Sequence, residues 1–245
     1  MVGGLGNQLF QTAAFLKYRR HKEKVIISFL GDIHIPKRLN CLNSIYESPN
    51  WLYFDNSKKL NLLTKFFART SAGLRFGSYL PLVGINDRNF YYEKSNFLNQ
   101  RILFLDGYFN QDWTYSKLNK LFKIFKLKPI ILTEQQLKLC NQNVIIHIRG
   151  GDFISIEKLN ICKVDYYKNS IKYALSNGLK NFIVISEDQK YSKEIIKELK
   201  KCFANLQISL LQSTSIEKDF NIIRSSKLAI LSNSTFSWWA SFLSN

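Results

Sequence analysis

The chain has 245 residues, 46% of them hydrophobic and 14% aromatic, with 35 Lys and Arg against 18 Asp and Glu for a formal charge of +17. That length and apolar content bury a substantial core, in one large α/β domain or two small ones. With no low-complexity tract and no fixed-period repeat, they exclude disordered and solenoid classes. The positive charge favours phosphates, leaving nucleic acid, an anionic membrane face and a nucleotide-activated substrate open. Much of it is lysine scattered along runs such as KEIIKELKKCF, whose plainer meaning is a solvated helix face.

Cys41, Cys140, Cys162 and Cys202 are too dispersed for a C-x-x-C pair or zinc-ligand spacing and suit a reducing compartment. No apolar run reaches 18 residues, and the N-terminus meets glycines at once instead of a signal-peptide core. The expectation is a soluble, cytoplasmic protein.

In chain order, MVGGLGNQLFQTAAFLKYRRHKEKVIISF predicts a glycine loop, a helix over about Gln8 to His21 and a buried strand at Val25 to Phe29. Only Met1 and Val2 precede the first glycine, so the strand that should feed the loop is missing and the N-terminal domain is expected to be incomplete. Residues 32–98 are irregular, rich in aromatics and hold three of the four prolines, which predicts loops and short helices. RILFLDGYFNQDWTY gives a short strand and an aromatic loop; Lys117 to Lys128 is a helix or connector, and Pro129 marks a boundary between domains 1–128 and 129–245. Beyond it strands at Val144 to Ile148, Phe182 to Ser186, Leu206 to Leu211 and Leu228 to Leu231 alternate with helices at Tyr166 to Asn177, Ser192 to Phe203, Asp219 to Arg224 and after NSTFSWW. This alternation predicts an α/β fold with a parallel sheet, and such sheets bind ligands at the carboxyl ends of their strands.

Three polar segments fall at those ends: HIRGGD, SEDQ and SNSTFS. Arg149 is placed for a bidentate grip on phosphate. Gly150 and Gly151 permit close backbone approach or a positive φ. Asp152 could brace Arg149 or accept from a ligand hydroxyl, and the bland alternative is a surface ion pair shaping a turn. SNSTFSWWASF opens a helix whose free N–H groups suit an anion, against ordinary capping with Phe236, Trp238 and Trp239 as core. His147, in an apolar strand, fits a hydrogen-bonded core histidine better than a catalyst. GGLGNQ lacks the Lys and Ser/Thr of a P-loop, and Leu9 stands where a dinucleotide loop needs its third glycine, leaving a turn that presents Asn7 and Gln8. No D-x-D occurs, His21, His34 and His147 are unclustered, and G-x-S-x-G is absent, so metalloenzyme and hydrolase classes lose ground.

Five segments in order resemble the bacterial α-1,2-fucosyltransferases, glycosyltransferase family 11. GGLGNQLFQTAAF is similar to the family's opening motif, DGYFNQDWTY to its middle motif, HIRGGDF to its H-x-R-R-G-D-Y signature, VISEDQKY to its F-S-D-D segment, and LAILSNSTFSWWASFL to its final motif. The resemblance implies a GT-B arrangement of two facing Rossmann-like domains. Residues 1–128 would be the acceptor side, and residues 129–245 would bind GDP-fucose. It implies inverting, metal-free transfer of fucose to a galactoside 2-hydroxyl in surface polysaccharide or O-antigen synthesis, with a galactose-terminated glycan or lipid-linked oligosaccharide as acceptor and no cofactor. Carried over, Arg149 binds the diphosphate, and Asn233, Ser234, Thr235 and Phe236 cradle phosphate and sugar. His147 lies beside the nucleotide, while Glu187, Asp188 and Asp219 are candidates for guanine or ribose. Gly4, Asn7 and Gln8 line the cleft from the first domain, and Asp152 is the nominee for general base.

The sequence departs from the family where Gly150 replaces a second arginine, at the near-missing first strand, and at Asn245, inside the final motif. Other expectations stay open: another linkage or another GDP-sugar, a basic nucleic-acid-binding protein, or a membrane-surface protein. The last rests on the amphipathic stretch Leu60 to Val83, which could equally dock an enzyme peripherally on an anionic membrane face. Dispersed charge and the lack of an RNA-binding motif count against nucleic acid.

Overall fold

Four short apolar runs of residues 129–245 form one parallel sheet in a computed structural model that describes residues 3–18, 25–27, 42–47, 52–54, 82–86, 102–110, 113–123, 126–156, 159 and 161–244. The chain divides into two compact units, 1–128 and 129–245.

In the first unit, helix α1 (Leu5–Tyr18) buries Leu5, Leu9, Phe10, Ala13, Ala14 and Leu16. Strands β1 (Val25–Ile27) and β3 (Leu52–Phe54) pair in parallel, β2 (Tyr46–Glu47) pairs antiparallel with β6 (Lys126–Leu127), and β4 (Leu82–Asn86) pairs in parallel with β5 (Ile102–Asp106). Helix α2 (Tyr115–Phe122) is capped by Thr114, whose side chain accepts from Lys117 N, and its Phe122 ring lies 5.6 Å from that of Tyr46. The expectation of loops and short helices over 32–98 needs correction, because β2, β3 and β4 lie there. They are two to five residues long, too short for alternation to declare itself, and they are stabilised by pairing with partners elsewhere in the chain. The amphipathic stretch Leu60 to Val83 lies outside the described residues except where its end enters β4.

The second unit begins with helix α3 (Glu134–Gln142), which the sequence periodicity does not announce. Its Thr133 and Gln136 form a reciprocal capping box, and only Cys140 is buried. Strands β7 (Val144–His147), β8 (Asn181–Ile185), β9 (Gln207–Leu210) and β10 (Ala229–Ile230) then form a parallel sheet in the order β10-β7-β8-β9. Helices α5 (Val164–Ser176) and α6 (Gln189–Cys202), which follow a short helix α4 (Asp152–Ser155), pack on one face. There Tyr167, Ile171, Ile195 and Leu199 meet Val144, Ile146, Phe182 and Val184. On the opposite face of β7, His147 meets Phe236 of helix α8 (Thr235–Phe242), which in turn meets Phe220 of α7 (Ile216–Ser225). Trp239, fully buried in α8, and the Arg224 Nε bond to the Leu243 carbonyl at 2.8 Å tie these two helices together. Successive crossovers run β7 to β8 to β9 in one direction, and the last strand returns to the other side of β7. The strand order therefore switches between β7 and β10, where sheets of this kind take their ligands. Among the described residues, no helix is long and apolar enough to cross a membrane.

Candidate functional site

The register of the sheet sets the first wall. His147 lies opposite Ile185, so two residues further on Arg149 and Glu187 leave their strands at the same level. Arg149 Nη1 donates to Glu187 Oε1 at 2.8 Å and Nη2 to Asp152 Oδ1 at 2.6 Å, while the guanidinium carbon stands 4.9 Å over the Phe153 ring. The Arg149 Nε is buried and has no partner. Gly151 occupies the first central position of a tight turn, with φ 58° and ψ −125°, closed by Phe153 N on the Gly150 carbonyl at 3.2 Å. That turn type requires a positive φ at this position, and glycine supplies it without strain.

The glycine loop is docked on the next strand's end by two carboxylates. Gly150 N donates to Glu187 Oε1 at 3.2 Å and Gly151 N to Asp188 Oδ2 at 3.1 Å. Asp188 also caps α6, accepting from Tyr191 N at 3.0 Å, and these backbone donors hold its carboxyl below the usual carboxylate range. Gly150 is sterically closed: a Cβ there would lie 2.4 Å from Asp188 Cβ. An arginine at this position, as in the family signature, does not fit this backbone.

Across the switch point, His147 Nδ1 and Ser232 Oγ share a 2.7 Å hydrogen bond. The His147 ring is buried, which lowers its pKa to about 3, with a smaller contribution from Arg149. The imidazole is thus neutral near pH 7, and it holds the β10 exit beside β7 with its own ring 5.6 Å from Phe236. The SNSTFS segment then turns into α8. Ser234 caps that helix, accepting from Phe236 N at 3.3 Å, so its Oγ meets an N–H that an anion would otherwise share. Thr235 and Phe236 form the first turn and are partly exposed. Asn233 points its amide elsewhere, donating Nδ2 to the Leu159 carbonyl at 2.8 Å, and Tyr166 donates its hydroxyl to the Leu231 carbonyl at 2.5 Å. Asp219, in the first turn of α7, accepts from Ser213 Oγ at 2.5 Å; burial raises its pKa, and the Glu187 carboxylate adds to that.

The structure therefore gathers His147, Arg149, Asp152, Glu187, Asp188, Asp219 and the 233–236 segment at one edge of one sheet. Gly4, Asn7 and Gln8 belong to the other unit. There Gln8 is buried, its Nε2 donating to the Gly3 carbonyl at 3.0 Å, and Asn7 covers Gly3, where a Cβ would lie 2.7 Å from Asn7 Nδ2. Gly4 has open space where a Cβ would stand. In the aromatic loop after β5, Phe109 adopts φ 54°, pinned by the Trp113 indole donating to its carbonyl at 2.7 Å. Sequence reasoning passed over Ser232, Tyr166 and Phe153. Ser232 and Phe153 sit inside the quoted motifs, but their contacts need the strand order or the turn to be known. Among the described residues, no group of three or more His, Cys, Asp or Glu is placed to hold a metal ion.

The parallel sheet of the second unit, with helices on both faces and an arginine and a helix start at its switch point, is Rossmann-like, and likeness to a solved structure gives the fold class as GT-B. POFUT1, solved in complex with GDP-fucose, has a similar fold, with a TM-score of 0.50 at 12% identity over 98% of this chain and 91% of that one. The chain belongs to glycosyl transferase family 11, whose model matches residues 87–245. It is 26% identical over 265 residues to an alpha-1,2-colitosyltransferase of Escherichia coli, covering 100% of this chain and 86% of that protein. It is 27% identical over 282 residues to the O-antigen biosynthesis glycosyltransferase WbnK of Escherichia coli, covering 99% and 88%.

Proposed function

We propose that the protein transfers L-fucose from GDP-β-L-fucose, with inversion, to the 2-hydroxyl of a galactoside during O-antigen or related surface polysaccharide synthesis. The observation that carries this reading is Arg149: a guanidinium at the carboxyl end of the inner strand β7, beside the switch point, with one N–H on each terminal nitrogen not taken by its two carboxylate partners. Membership of family 11 and the two full-length bacterial relatives support the chemistry and its setting.

In this reaction the acceptor oxygen attacks the fucosyl C1 as the C1–O bond to the β-phosphate breaks, and the bonding electrons leave with GDP. Arg149 and the start of α8 at Ser234 and Thr235 would meet the charge growing on the departing diphosphate in place of a cation. Phe236 would pack against the donor sugar, and Asp219 or Asp188 would accept from guanine or ribose donors. Asp152, half-exposed beside Arg149 at the site's rim, is the group we assign to take the acceptor's proton. Residues 1–128, with Gly4 and Asn7, would contact the acceptor, whereas the buried Gln8 braces the Gly3 turn from within.

The colitosyltransferase relative favours a second reading in which the donor is GDP-colitose, whose sugar is fucose without its 3-hydroxyl. A donor panel separates the two: GDP-fucose, GDP-colitose, GDP-mannose and UDP-galactose against a mixture of galactosides, with and without EDTA, read by mass spectrometry and linkage analysis. Transfer from GDP-fucose in EDTA to a 2-hydroxyl is expected. Preference for GDP-colitose would select the second reading, and transfer only from UDP-sugars would defeat both.

A further inference from the structure

We infer that Glu187 is a positioning residue for the donor, acting through Arg149 instead of touching the nucleotide. This rests on the functional reading above. A single oxygen, Oε1, takes both the Arg149 Nη1 at 2.8 Å and the Gly150 N–H at 3.2 Å. Those donors sit on consecutive residues, so one carboxylate fixes the guanidinium and the backbone that carries it. The other contacts of Arg149 lie within its own loop: Asp152 is three residues on, its side chain 57% exposed, and Phe153 lies beneath the guanidinium plane. Glu187 alone among these contacts belongs to a different strand, and the β7–β8 register sets where that strand ends. A guanidinium tethered only within a mobile turn would lose rotamer entropy on gripping a diphosphate; one already held from the neighbouring strand loses less.

The same geometry leaves Arg149 with donors to spare. Nη1 and Nη2 each carry two N–H groups, of which the carboxylates engage one. Oε1, by contrast, already serves two strong donors, both of them on the Arg149–Gly150 segment. Gly150 reinforces the tie: the loop packs so closely on Asp188 that it has little freedom to follow a displaced arginine.

The test is a double-mutant cycle on GDP affinity, by titration calorimetry with Glu187→Ala, Glu187→Gln, Arg149→Lys and Glu187→Ala/Arg149→Lys in the full chain. Glu187→Ala is expected to weaken GDP at least tenfold. Glu187→Gln, which keeps an acceptor oxygen for both N–H groups, should stay within about threefold of wild type. In the Arg149→Lys background, Glu187→Ala should cost less than a further twofold, because the fork it orients is gone. Losses that multiply across the cycle would overturn the inference and return Glu187 to direct nucleotide contact. Glu187→Gln as damaging as Glu187→Ala, with unchanged thermal unfolding, would also overturn it. Wild-type protein that binds UDP and not GDP would defeat the functional reading itself, an outcome distinct from multiplicative losses in a GDP-binding protein.

Discussion

Replacing Gly150 by alanine tests the interlock between the two strand ends directly. The new Cβ would lie 2.4 Å from Asp188 Cβ and 2.8 Å from its Oδ2, whereas non-bonded carbons rest at about 3.5–4.0 Å. Relief requires the 150–151 and 187–188 segments to part by about 1 Å, which stretches the 3.2 Å and 3.1 Å bonds from Gly150 N and Gly151 N to about 4 Å, beyond hydrogen bonding. Overpacking costs about 1–3 kcal/mol, and a bond to a charged group about 1.5–3 kcal/mol. Because Glu187 and Gly151 are partly exposed and water replaces some of the loss, we take a total of about 3 kcal/mol, or roughly 10 °C in the melting of a unit this size. Differential scanning calorimetry of Gly150→Ala reads the shift. Asp188→Gly removes the opposing Cβ, and glycine is a tolerable cap. The double variant should therefore be more stable than the sum of the single effects by about 1–2 kcal/mol. A Gly150→Ala variant within about 0.5 kcal/mol of wild type, the range of an ordinary surface change, would refute the steric reasoning.

Two further outcomes follow from the same site. Arg149→Lys keeps the charge and loses the planar fork, so turnover with the preferred GDP-sugar should fall at least tenfold, about 1.4 kcal/mol of transition-state stabilisation; near-normal steady-state rates would remove Arg149 from the diphosphate. His147 titrates near 6.5 when unfolded and at about 3 when folded, so below pH 6.5 the unfolded chain takes up a proton that the folded chain refuses. Stability should then fall by up to about 1.4 kcal/mol per pH unit between 6.5 and 3 and be unaffected by this group above 6.5. Denaturant titrations at several pH values, compared with His147→Gln, isolate that contribution; an unchanged slope in the variant would mean that His147 is not the group responsible.

The second unit was the legible one, and its strand ends carried the information. VIIHIR and FIVISE are apolar runs of similar length that break into polar residues at matching places, so Arg149 and Glu187 could be set at one edge before any pairing was known. What failed was whatever depends on partners distant in the chain. The bond from His147 to Ser232 spans 85 residues and exists because β10 returns beside β7, a placement that chain order does not reveal. Helix α3 was missed because TEQQLKLCNQ has almost no apolar face; its signature was the Thr133–Gln136 capping box. The strands within 32–98 are too short to alternate visibly. Gly150 was recognised as a departure from the family, but the reason no side chain fits there is Asp188, and a glycine's letter does not record what stands opposite it.

The position of β10 also orders events as the chain is made. β7, β8 and β9 can pair in sequence as they emerge, but the far edge of β7 must wait for about eighty more residues before β10 arrives to close it. Until then the nascent sheet presents an open strand rich in isoleucine, a template for pairing with the wrong chain. The arrival of β10 thus seals that edge and brings Ser232 to His147, so assembly of the site's second wall coincides with covering of the exposed β7 edge.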